Sequence, residues 1–64
     1  MFVKGDIIQI KNKYIDAHPN YKGKTYKVME IEADHKDSAS KSVIAVEVGT
    51  ENMYRLYGEY FEKV

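Results

Sequence analysis

The sequence predicts a single all-β domain. Ile8 and Ile10, Tyr26 and Val28, and Ile44, Val46 and Val48 recur at every second position, the spacing of a strand with one buried face. Between these runs lie stretches of turn chemistry, first His18-Pro19-Asn20 with Gly23 and later Gly49 to Asn52. With 64 residues, no internal repeat and no low-complexity tract, the segments have to share one core.

Phe2 to Ile10 is rich in β-branched residues and reads as the first strand, bent near its start by Gly5-Asp6. Lys11 to Lys24 then turns polar and forms a long excursion, which in so small a domain either packs on itself or carries function. Thr25 to Ala33 resumes as a strand whose apolar residues change phase. Tyr26 and Val28 share one face while Met29, Ile31 and Ala33 share the other, which predicts a bend or bulge near Val28. Asp34 to Lys41 has no apolar residue larger than alanine and reads as a mobile connection. Ser42 to Val48 is the cleanest strand, with Ile44 and Val46 expected in the core beside Ile8, Val28 and Leu56, and with Val43 and Ala45 on the opposite face.

The C-terminal segment admits two readings. Met53, Leu56, Tyr57, Tyr60, Phe61 and Val64 follow helical spacing with Thr50 as a cap, which would give a three- or four-stranded sheet with a C-terminal amphipathic helix. Gly58 in mid-helix costs about 1 kcal/mol, and the density of tyrosine favours pleated structure. The expectation is therefore a strand at Met53 to Tyr57, a tight turn around Gly58 to Tyr60 and a short last strand at Phe61 to Val64.

This order of elements, VKGDIIQI, the long loop ending HPNYKGKTYKV, SVIAVEV and the closing GEYFEKV, resembles the small SH3-like barrel. Within that fold the chain is similar to short phage and prophage proteins of uncharacterised function. The resemblance implies an all-β, five-stranded SH3-like barrel spanning residues 1–64 and a binding role, since this fold hosts many unrelated binding functions. Proline-peptide-binding members line their groove with tyrosines plus a tryptophan; the absence of tryptophan here argues against a polyproline ligand. YKGKTYKVMEI also resembles, loosely, the KOW modules of ribosomal and transcription proteins, which keeps RNA or DNA in view.

Composition narrows the function further. A 7.4 kDa chain with 44% hydrophobic and 31% charged residues has little room for an enclosed active site with a supporting shell. The lack of cysteine removes disulfides and thiol chemistry, and a start without an apolar signal core points to a cytosolic protein without a membrane span. Ten basic and ten acidic residues cancel, which argues against a strongly basic nucleic-acid binder. The charges are nevertheless segregated: six lysines face only Asp6 and Asp16 in residues 1–27, and residues 28–64 carry the balancing negative surplus of four.

Asp34, His35 and Asp37 could contact a metal, Glu30 and Glu32 could pair as carboxylates, and His18 could act as a base. Each lacks the convergent partners such chemistry needs, so they read as solvated side chains, with no catalytic residue, metal or cofactor expected. The first constellation above this background is the loop and its exit: Lys11, Lys13, Tyr14, His18, Tyr21, Lys22 and Lys24, followed by Tyr26. Lysines supply positive potential and tyrosines flat amphipathic contact surface, a pairing suited to phosphates and to acidic protein surfaces alike. The second is Tyr54, Arg55, Tyr57 and Tyr60, with Phe61, whose bulk exceeds what one face of a short hairpin can bury. The competing structural reading makes these aromatics the plug of a small core. The expected partner is a larger cytosolic protein, engaged by a monomer or a homodimer, with direct DNA or RNA binding as the alternative.

Overall fold

The computed structural model describes residues 2–32 and 42–64. Five strands, β1 (Ile7–Ile10), β2 (Tyr26–Glu32), β3 (Ser42–Glu47), β4 (Met53–Tyr57) and β5 (Phe61–Lys63), form one antiparallel sheet in the order β4-β3-β2-β1-β5. Among the described residues there is no α-helix, and the C-terminal segment takes the strand, turn and strand reading. The expected connection Asp34 to Lys41, and with it the Asp34, His35 and Asp37 group, lies outside the described residues.

The first strand is shorter than the sequence suggests. Residues 2–6 instead form a turn in which the Val3 N–H donates to Asp6 Oδ2 at 2.8 Å and the Asp6 N–H to the Val3 carbonyl at 3.1 Å. Gly5 and Asp6 are still tied to β2, because the Gly5 N–H donates to the Val28 carbonyl and the Val28 N–H to the Asp6 carbonyl. The predicted phase change in β2 is a bulge: Val28 pairs with Ala45 and Glu30 with Ile44, which leaves Met29 unpaired. That one extra residue keeps Tyr26 and Val28 inward and returns Ile31 to the inner side against the core.

The inner face of β3 differs from expectation. Val43 and Ala45 are buried, whereas Ile44 and Val46 are only half-buried on the outer face. The reason is register. Ala45 lies opposite the buried Val28, and Val43 opposite the buried Leu56, so the neighbouring strands fix the parity of a segment that is apolar on both sides. The core is completed by Ile8, Ile10, Tyr26 and Phe61.

β4 and β5 sit at opposite ends of the sheet order yet are joined only by a 3₁₀ turn at Gly58–Tyr60. In a flat sheet strands four places apart would be about 19 Å from one another, whereas three residues of 3₁₀ turn advance roughly 6 Å. The sheet therefore curls strongly, and its two ends approach each other at this turn. The β3–β4 hairpin closes on Gly49, whose φ of +91° suits glycine, and on Thr50, whose hydroxyl donates to the Glu47 carbonyl and accepts from the Asn52 N–H.

Candidate functional site

The long first loop is built of two 3₁₀ turns, Asn12–Tyr14 and Pro19–Tyr21. Successive backbone hydrogen bonds hold it together: His18 N–H to the Tyr14 and Ile15 carbonyls, Tyr21 N–H to His18 and Lys24 N–H to Tyr21. Its base is fastened to the C-terminal turn, because the Lys11 N–H donates to the Tyr60 carbonyl at 2.9 Å. The excursion is thus a folded platform lying beside Gly58–Tyr60.

This juxtaposition merges most of the two sequence-predicted constellations into one surface. Tyr60 is the hub: its ring centroid lies 4.6 Å from that of Tyr14, 5.0 Å from His18 and 6.2 Å from Tyr57. His18 in turn faces Tyr21 at 6.2 Å. Tyr21 packs edge-on against Phe61 at 5.2 Å and Tyr26 at 5.9 Å, and Tyr26 meets Tyr54 at 5.8 Å with the planes nearly perpendicular. Such edge-to-face pairs contribute about 0.5–1.5 kcal/mol each beyond area burial.

Exposure divides the group. Tyr26 and Phe61 are core residues at 1% and 2% exposure, so the structural reading holds for them. Tyr14, His18, Tyr21 and Tyr60 are half-buried. Tyr54 and Tyr57 are the open members, Tyr57 at 57%. Burial pushes the Tyr26 phenol up to about 12, with the Glu47 carboxylate opposite it in the ladder as the next cause and the Tyr21 and Tyr54 hydroxyls after that. Glu47 is a neighbour that sequence reasoning missed, since its pairing with Tyr26 follows only from the β2 and β3 register.

Lysines border the aromatic group. Lys13 Nζ stands 5.3 Å from the centre of the Tyr14 ring, within cation–π range. Lys11 is half-buried where the loop joins the turn, while Lys22 and Lys24 are exposed at the loop exit. Arg55 shares the outer face of β4 with Tyr57. It lies opposite Ile44 and reaches Glu32 Oε2 at 3.2 Å, an exposed pair that sequence reasoning missed.

On the loop there is also a cleft of about 300 Å³, lined by Gln9, Ile10, Asn12, Ile15, Gly23, Lys24 and Thr25. It is at the small end of ligand-binding clefts. Among the described residues no group of three or more His, Cys, Asp or Glu side chains has metal-binding geometry, and no helix is long and apolar enough to cross a membrane. Comparison with protein-family models, curated proteins and solved structures finds no match to this chain.

Proposed function

We propose that the protein is a non-catalytic recognition module with an SH3-like barrel fold. In this reading it is phage-encoded, and it docks on a larger cytosolic host protein to modulate or inhibit it. The observation that carries the reading is the aromatic surface centred on Tyr60, where an ordered loop and the C-terminal turn present Tyr14, His18 and Tyr57 together. Half-buried tyrosines on a tied-down backbone lose little conformational freedom on binding, and clustered aromatics are the usual anchors of protein interfaces. The strand order and the strong curl of the sheet support the barrel, as does the three-residue link from β4 to β5.

Direct binding of DNA or RNA is the second reading, favoured by Lys13 over Tyr14 and by the neighbouring lysines of the loop. The two are separated by using the tagged protein as bait in extract of its native cell, beside anisotropy titrations with a mixed-sequence duplex and an oligothymidine. Protein recognition predicts a stoichiometric protein partner whose capture falls at least tenfold with Tyr57→Ala, an exposed change that spares the core. Nucleic-acid binding predicts micromolar affinity that disappears when Lys11, Lys13, Lys22 and Lys24 are reversed to glutamate. Its log affinity would fall with log salt by about 0.7–0.9 per neutralised phosphate. That second result would overturn the first reading.

A further inference from the structure

Resting on the recognition reading, we infer that the segment gripped by the Tyr60 surface is acidic: an extended stretch of a partner protein bearing aspartate or glutamate beside an apolar or aromatic side chain. The loop from Lys11 to Lys24 carries four lysines against one acid, Asp16, and the facing turn adds Glu59. Among the described residues none of those four lysines is in an ion pair. The ion pairs there are Arg55 with Glu32 and Lys63 with Asp6. Two cations of the sheet, Arg55 and Lys63, are thus matched within the fold, whereas Lys27 of β2 and the four lysines of the loop, Lys13 over Tyr14 among them, are in no ion pair among the described residues. A carboxylate-bearing strand would meet complementary charge there, whereas a basic one would be repelled.

The aromatic geometry favours a polypeptide over nucleic acid. Base stacking requires open ring faces, but Tyr14, His18 and Tyr60 already pack on one another with centroids 4.6 and 5.0 Å apart. The exposed Tyr57 ring meets Tyr60 with the planes at 87°. A side chain of a bound strand can lodge against Tyr57 and Tyr60, while neighbouring carboxylates meet Lys13 beside Tyr14 and the exposed Lys22 that follows Tyr21 in the loop. The lysines lend charge and also alkyl stems that extend the apolar surface.

The test is a titration of the ¹⁵N-labelled protein at low salt, followed by amide chemical shifts. Three 12-residue peptides share the same apolar and aromatic residues, with the other positions Asp/Glu, Ser/Gln or Lys/Arg; oligothymidine is the fourth probe. The acidic peptide is expected to shift amides of residues 11–24 and 57–61 saturably, with affinity at least tenfold above the neutral peptide. Combining Lys13→Glu with Lys22→Glu, both at exposed positions, should remove that advantage and favour the basic peptide. Equal response to the neutral or basic peptide would overturn the inference, as would shifts outside those residues or tighter binding of oligothymidine there. In the native extract, a partner lost with Tyr57→Ala but retained by the double lysine reversal would leave recognition standing and remove the acidic ligand.

Discussion

Tyr26 touches Tyr21, Tyr54 and Phe61 edge-on while almost wholly buried, so ionising its phenol would leave a charge beside Glu47 with little water to solvate it. The folded phenol holds its proton to about pH 12, whereas in the unfolded chain it releases it near its ordinary value of 10. Between these values the unfolded state binds fewer protons, so stability is full below about pH 10 and falls as pH rises toward 12. Urea unfolding from pH 9 to 12 should show that decline, and Tyr26→Phe should flatten it relative to the parent. An unchanged slope in the variant would contradict the assignment. That Tyr26 and Val28 share a face was legible from their spacing. The ring of aromatics around Tyr26 was not, because it joins residues 21, 54 and 61, which only the sheet order brings together.

Among the elements, β2 and β3 show what periodicity can and cannot specify. The bulge between Val28 and Glu30 was readable because apolar residues switch face there, and Gly58 marked the break between β4 and β5. The inward face of β3 was not readable, because Val43 to Val48 alternates between two sets that are both apolar until Glu47. Its strand partners decide, and they turn Val43 and Ala45 inward. Val43→Thr should therefore cost about 1–3 kcal/mol by burying a hydroxyl without a partner. Ile44→Thr, on the half-buried outer face, should cost less than about 1 kcal/mol. Denaturant midpoints measure both, and a larger loss at residue 44 would mean that the register is wrong.

At the level of the whole molecule, a domain this small has little reserve. Leu56, 1% exposed and opposite Val43, holds the edge strand β4 to the core. Leu56→Ala should cost about 2–5 kcal/mol and lower the melting temperature by at least roughly 10 °C. A calorimetric or circular-dichroism melt within a few degrees of the parent would refute that role. The joining of the two aromatic segments into one surface is also a property of this scale. Each was visible in the sequence as a cluster of tyrosines, but the contact of Tyr60 with Tyr14 depends on β5 pairing with β1 across some fifty residues of chain.

That last pairing also orders events during synthesis. β1 lies between β2 and β5, with Ile8 opposite Lys63, Gln9 opposite Glu62 and Ile10 opposite Phe61. A nascent chain can form the β2–β3 and β3–β4 hairpins as soon as they leave the ribosome, but β1 gains its second neighbour only after residue 63 has emerged. Completion of the sheet thus waits for the last strand, and the length of chain to be closed makes it the slow, non-local step. Until it is taken, one side of β1 exposes unpaired backbone groups beside Ile8 and Ile10, an edge on which a neighbouring nascent chain can add its own strand.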